Sequence, residues 1–302
     1  MRVLVTGASG YLGRHVVASL LDAGIDVHAV ARRPSTGVGA SWHCADLLDP
    51  APADDLVRAV APTHLLHLAW CSEQGSYWSD PANLDWVAAT LRLARAFERA
   101  GGQRMVVAGT SAEYQWGAPG GGVLDERSSP LHPASLYGWA KLSTEQVVSA
   151  FARRAGLSVA WGAVFFSFGP YEDKARLVPS VIRSLLASRR VTLRSGPAVR
   201  DFLDVRDVAA GLVALLRSEV TGRVNVASGV GTAVAAVAHR VGVALGRDNL
   251  IDAATSLPEG EAPAVVAAVS RLRDEVGFAP RISLDEGLAD AVRYWREVAN
   301  PR

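Results

Sequence analysis

Residues 105–117 read MVVAGTSAEYQWG, an apolar run that ends at Gly109 and delivers Thr110, Ser111, Glu113, Tyr114 and Trp116 in quick succession. Two hydroxyls and a carboxylate at the end of a buried strand can orient, donate or accept protons. Further on, SLYGWAKLSTEQ places Tyr137 and Lys141 four apart in a helical stretch, on one face. A lysine ammonium close to a phenol favours phenolate, lowering a tyrosine pKa that starts near ~10. Such a tyrosine can act as acid or base near neutral pH. Y-x-x-x-K alone is common by chance; its weight comes from what surrounds it.

A second cluster lies at the N-terminus, where the apolar run Arg2–Thr6 passes into TGASGYLGRHVVASLL. Gly7, Gly10 and Gly13 fall at the spacing G-x-x-G-x-x-G just where a helix begins. The first glycines permit a tight turn and close approach to a pyrophosphate, and the third lets helix pack on strand. The helix N-terminus offers N–H groups to the phosphates. An NAD site places an acidic residue at the end of the second strand, whereas a 2′-phosphate wants arginine. Here VHAVARRP carries no acid before Arg32 and Arg33. A guanidinium pair suits NADP(H), with NAD the alternative; the plain reading is two solvated arginines opening a loop.

These sites need a scaffold. The expected strands are Arg2–Thr6, Asp26–Ala31, Ser41–Cys44, Leu65–Leu68, Arg104–Ala108 and Leu157–Val164, with helices over Tyr11–Ala23, Leu84–Ala100 and Ser135–Arg154 between them. Near-continuous apolar strands alternating with amphipathic helices predict a doubly wound α/β domain with both sheet faces covered. After Phe166 longer helices take over: Leu177–Ser188, Val205–Arg217, Thr232–Leu245 and Ser283–Glu297, with a strand at Val224–Val226. The expectation is a dinucleotide-binding domain over 1–165 and, over 166–302, mainly a smaller substrate-binding lobe packed on it.

Composition excludes more than it assigns. The 302 residues carry 31 basic and 30 acidic side chains, which gives no electrostatic reason for a nucleic-acid or membrane-surface partner. No apolar stretch is long enough to span a bilayer, and the N-terminus does not read as a signal peptide. Cys44 and Cys71 have no metal-ligand spacing, so no metal is expected. Both are read as buried thiols of a reducing compartment, with the cytoplasm as the default.

Taken together, TGASGYLG (6–13), CADLLD (44–49), LLHLAW (65–70), GTSAEYQWG (109–117), YGWAK (137–141), FGPYED (168–173) and RDFLDVRDVA (200–209) resemble an extended short-chain dehydrogenase/reductase. More narrowly, they resemble the NAD-dependent epimerase/dehydratase family that acts on nucleotide sugars. The resemblance covers nearly the whole chain in the family's order and implies a Rossmann-like sheet. It implies Tyr137 as catalytic acid/base and Lys141 as the lysine on the cofactor ribose. Gly7, Gly10, Tyr11, Leu12 and Gly13 fall to the cofactor loop, Asp46 and Leu47 to the adenine side, and Leu68 and Ala69 to the nicotinamide ribose. Arg200 matches an arginine on the substrate diphosphate. Asp46 could instead start a turn, and Arg200 could pair with Asp201 or Asp204.

The catalytic hydroxyl is ambiguous, because AEYQWG departs from the family's pattern by one residue. Aligning Glu113 with the family's occasional glutamate selects Ser111; aligning Tyr114 with the family tyrosine selects Thr110. Ser111 is the preferred match. Glu113 is either the base that family dehydratases use or a cap on the following turn, and Ala112 stands where a dehydratase carries its acid. Two positions where the family often has Asn are here Trp86 and Phe166, so substrate contacts on that side differ. His67 reads as a satisfied core histidine, and Trp70, Trp78 and Trp139 neighbour motifs.

The arginine pair and the resemblance together imply NADPH-dependent reduction of a nucleotide-linked 4-keto-6-deoxyhexose. Alternatives are an NAD-dependent 4-epimerase (or dehydratase) and a non-catalytic NAD(P)-binding regulator. By analogy with family members, Leu84–Ala100 and Ser135–Arg154 are the pair expected to form a homodimer.

Overall fold

In the computed structural model, which describes residues 1–33, 39–71, 73, 75–117 and 122–299, the apolar stretches form a parallel sheet. Its first half is β1 (Arg2–Thr6), α1 (Tyr11–Asp22), β2 (Asp26–Ala31), β3 (Ser41–Cys44), α2 (Pro50–Val60), β4 (His64–His67) and α3 (Ala82–Arg99). Then come β5 (Arg104–Thr110), β6 (Val123–Leu124), α4 (Leu136–Ala155), β7 (Ser158–Val164), β8 (Phe166–Phe168) and α5 (Leu177–Leu186). The remainder is β9 (Val191–Leu193), β10 (Val199–Asp204), α6 (Val205–Arg217), β11 (Gly222–Val226), β12 (Gly231–Ala233), α7 (Val234–Leu245), β13 (Ile251–Ala253), β14 (Ala264–Ala267) and α8 (Leu284–Ala299).

Seven strands pair in the order β11-β7-β5-β4-β1-β2-β3, every pairing parallel. The order reverses between β1 and β4, so a crevice opens at their carboxyl ends, the usual ligand position of such a sheet. One face is covered by α1 and α6, where Val16, Leu20, Leu212 and Leu216 pack on Val3, Val5 and Val224. The other is covered by α2, α3 and α4 through Val57, Leu93, Phe97 and Val148. The Rossmann-like expectation is met. The chain returns to this sheet at β11, past residue 165, because β7 would otherwise leave an unpaired apolar edge.

A second sheet runs β12-β10-β14-β6, with β8 also pairing β10, and β13 pairs β9. Helices α5, α7 and α8 enclose Val181, Ile182, Leu185, Val241, Leu288 and Trp295 beside it. None of the described helices is long and apolar enough to cross a membrane.

Cys44 corrects its expectation: it is exposed, and Cys71 is half-buried, both as free thiols. Cys44 ends the edge strand β3, which has β2 alone as a neighbour, so alternation leaves its side chain in solvent.

Candidate functional site

The glycine loop is shaped by sterics. Gly7 sits at φ +67°, and a Cβ there would stand 2.9 Å from the Ala69 nitrogen. At Gly13 a Cβ would lie 2.1 Å from the Gly7 carbonyl oxygen. Neither position admits another residue without moving backbone. Gly10 caps α1 without any side-chain cap, so the helix N-terminus faces the crevice with Tyr11 and Leu12 as its first residues. Thr6 Oγ1 accepts the N–H groups of Leu68 (3.1 Å) and Ala69 (3.3 Å), fixing the β4 end against the loop. This bare cradle, a helix dipole behind it, fits a dinucleotide pyrophosphate.

Arg32 and Arg33 are exposed just beyond β2. Asp46 is exposed, and its Oδ1 accepts the Leu48 N–H at 3.0 Å, so it does start a turn; Leu47 is buried beside it.

The reactive group is assembled from the end of β5 and the start of α4. Ser135 caps α4 by accepting the Gly138 N–H at 3.1 Å, which puts Tyr137 in the first turn and Lys141 one turn on. Gly138 has no Cβ where one would lie 2.4 Å from the Ala112 carbonyl oxygen, so the two backbones meet closely. That contact sets the Tyr137 phenol near the Thr110 hydroxyl, which lowers the phenol against the rise that burial causes. For Ser111 it is the main chain that is engaged: its carbonyl accepts from the Tyr114 N–H at 3.1 Å and the Trp116 indole at 2.7 Å. Both candidate hydroxyls thus stand at the end of β5 beside the start of α4: Thr110, the alternative match, acts on the Tyr137 phenol, and Ser111, the preferred match, is buried one residue on. A short helical turn runs over Ser111–Glu113, and the Thr110 hydroxyl caps it by accepting the Ala112 N–H at 3.2 Å.

Lys141 donates to the Ala108 carbonyl at 2.8 Å and lies 3.9 Å above the Trp70 ring. Burial pushes its amine down to about 7, with Glu113 opposing. The expected lowering of Tyr137 by Lys141 is not what the site displays. Burial pushes the phenol above its ordinary value, opposed by the Thr110 hydroxyl, because the ammonium is turned toward Ala108 and Trp70.

Glu113 is fully buried and saturated. Its oxygens accept from the Thr110 N–H (2.9 Å) and the Trp161 indole (3.0 Å), and pair with Arg223 (2.6 Å). Arg223 also pairs with Glu145, whose carboxyl burial pushes up, and lies 5.1 Å over the Tyr114 ring. The capping alternative for Glu113 is thus in place.

On β10, Arg200 pairs with neither expected aspartate. Its guanidinium donates to the carbonyls of Val199 and Ala262, each at 2.9 Å, and pairs with Glu261. Asp201 instead accepts from Ser228, Gly229 and Ala267, and Asp204 pairs with Arg206. His67 is a satisfied core histidine between Thr6 (2.7 Å) and Thr90 (3.0 Å), pushed down to about 3 by burial and by Lys141.

Trp78 meets Tyr137 edge-on at 5.8 Å, whereas Trp139 is exposed against His132. Trp70 is held by Asn83, which accepts its indole N–H at 2.8 Å. Sequence reasoning missed Asn83, Arg223 and Tyr77 as parts of the site. Arg223 opens VNVASG, which offers no local hint of a partner more than a hundred residues earlier.

The family model of the NAD dependent epimerase/dehydratase family matches residues 3–227. A UDP-glucose 4-epimerase of Azospirillum brasilense is 29% identical over 97% of this chain and 91% of its own. Among solved structures, MoeE5 in complex with UDP-glucuronic acid and NAD is 30% identical with a TM-score of 0.85, covering 99% of this chain and 100% of that one. The UDP-glucose 4-epimerase of Thermus thermophilus, complexed with NAD, is 27% identical with a TM-score of 0.86, covering 98% and 99%. On the glycine cradle, the Tyr137–Lys141 turn and a family match over most of its length, the chain belongs to the NAD-dependent epimerase/dehydratase family.

Proposed function

We propose that the protein interconverts a hydroxyl and a ketone at the 4-position of a nucleotide-linked sugar, with NAD as hydride carrier, and works as a 4-epimerase. The observation that carries this reading is the Tyr137–Lys141 turn of α4, packed through Gly138 against the end of β5 beside the crevice where β1 and β4 diverge. Relatives that are UDP-glucose 4-epimerases support the choice of reaction.

Tyr137 takes the proton of the sugar hydroxyl as hydride leaves the same carbon, and returns it when hydride comes back to the opposite face. Thr110, or Ser111 one residue on, hydrogen-bonds that oxygen while it carries charge. When bound, the nicotinamide supplies hydride acceptance and return. Gly7, Gly10 and Gly13 with the α1 N-terminus hold the pyrophosphate, and Lys141 holds the ribose. Arg200 exchanges Glu261 for a substrate phosphate oxygen. Dehydration is disfavoured, because Glu113 is bound by three donors and Ala112 is no acid.

One observation favours a second reading. Arg32 and Arg33 stand exposed after β2 with no acid at its end, as an NADPH-dependent 4-ketoreductase would want. Nucleotide released from purified protein, identified by mass, separates the two. Bound NAD together with conversion of UDP-glucose to UDP-galactose without net NADH supports the epimerase. NADPH oxidation with a nucleotide 4-keto-6-deoxysugar, and no epimerisation, replaces it with the reductase.

A further inference from the structure

Lys141 is the cation of the reactive turn, yet among the described residues no carboxylate stands in ion-pair contact with it. Its side chain is buried, with the ammonium on the Ala108 carbonyl, 3.9 Å over the Trp70 ring and 6.0 Å from the Trp161 ring. His67 of β4 faces it but is held neutral by burial, and Tyr137 stands one turn earlier on α4. A full positive charge taken out of water in this way needs an opposing charge near by.

The opposing charge lies behind the turn. Glu113 accepts on its carboxylate oxygens from the Thr110 N–H and the Trp161 indole, and pairs with Arg223 at 2.6 Å. It also bears on Lys141, opposing the fall that burial causes in the amine. Arg223 pairs in turn with Glu145, one turn after Lys141 on α4. The other guanidinium amine, Nη1, is buried without a partner, so among the described residues Arg223 touches no third carboxylate. Two carboxylates against one guanidinium leave one negative charge unmatched, and Lys141 is the buried cation beside it. Glu145 is what creates that excess. Without it Arg223 takes up the charge of Glu113, and the ammonium has nothing left to oppose it.

We propose that the Glu113–Arg223–Glu145 cluster is the counter-ion of Lys141, and that Glu145, acting through Arg223, is a positioning residue that keeps Lys141 an ammonium. The ammonium form carries three donors and no acceptor, which suits it to hold ribose oxygens. The inference goes beyond the reaction proposed above and does not depend on which sugar is turned over.

The sequence makes the test direct, because Lys141 and Lys174 are its two lysines. Full-length protein grown with lysine carrying 13C at Cε gives two side-chain signals, assigned with a Lys174→Arg variant. The chemical shift of the Lys141 signal against pH then reads its ionisation with no turnover involved. The parent is expected to show a midpoint near 7. Glu145→Gln should lower it by at least about one unit, and Arg223→Met, which leaves both carboxylates to Lys141, should raise it by at least about one unit. The double variant should bring it back toward the parent. Opening the core to water would raise the midpoint in every variant, so a fall in Glu145→Gln separates the charge role from a structural one. A midpoint unmoved or raised in folded Glu145→Gln overturns the proposal. Should that variant fail to fold, a midpoint unmoved in Arg223→Met overturns it equally.

Discussion

A hydroxyl assists a phenol only from close by, and of the two candidates Thr110 is the one that acts on the Tyr137 phenol. The sequence offered two candidates one residue apart, and alignment by Glu113 pointed to Ser111. The decisive signal was nevertheless present: T-S-A-E is itself a capping box. Thr110 accepts the Ala112 N–H at 3.2 Å, and Glu113 reaches back to the Thr110 N–H. Such a box fixes Thr110 at the strand end and winds Ser111 into the turn, where its buried carbonyl serves Trp116. Thr110→Val should therefore lower kcat by about a hundredfold while bound nucleotide is retained, and Ser111→Ala should cost less than about tenfold. Steady-state rates of both variants, with nucleotide content by mass, decide it; the reverse order returns the role to Ser111.

At the scale of elements, the site is held by one buried ionic knot. Glu113 follows β5, Glu145 lies on α4, Trp161 on β7 and Arg223 on β11, so a single guanidinium ties helix and sheet edge behind the reacting pair. Removing one carboxylate of such a knot is costly, but Glu145 keeps Arg223 paired. Glu113→Gln is expected to lose about 2 kcal/mol of stability, read as a melting temperature lower by several degrees, with kcat within about fivefold of the parent. A collapse of kcat in folded protein would instead assign Glu113 to proton transfer from carbon. The elements that build this knot differ in how legible they were. β1 and β2 have the bounds that their apolar runs imply, since a doubly covered parallel strand writes itself as a continuous run. β8, β10 and β14 escaped because strands of three to six residues take their pairing from distant partners. Among the numbered helices α2 alone was missed, and it carried a local sign: Asp49 caps it through the Ala51 N–H, with Pro50 next.

At the scale of the whole molecule, the segment after β8 ties α1 to α8. The Pro170 carbonyl is 3.4 Å from His15 Nε2 on α1. Tyr171, at φ +68°, lies under Arg14 of α1 (4.1 Å) and against Tyr294 of α8 (4.8 Å). Glu172 is turned inward from that strained residue and is 5% exposed. Burial pushes its carboxyl from 4.5 up to about 8, against the opposing charge of Arg176. The unfolded chain therefore gives up this proton near pH 4.5 while the folded chain keeps it to about 8. Across that window the unfolded state binds fewer protons, so the group makes folding less favourable as pH rises. Lys141, pushed down to about 7, has the opposite effect above that pH, but it is the same in parent and variant and drops out of their difference. Glu172→Gln cannot lose the proton. Its melting temperature should match the parent near pH 5 and exceed it near pH 8 by roughly 3–6 °C, the shift that about 2 kcal/mol makes in a chain of this size. Calorimetric melts of the two proteins at both pH values measure the difference directly. A variant less stable by the same amount at both would mean that Glu172 is ionised throughout, as a partner of Arg176, rather than a buried neutral acid.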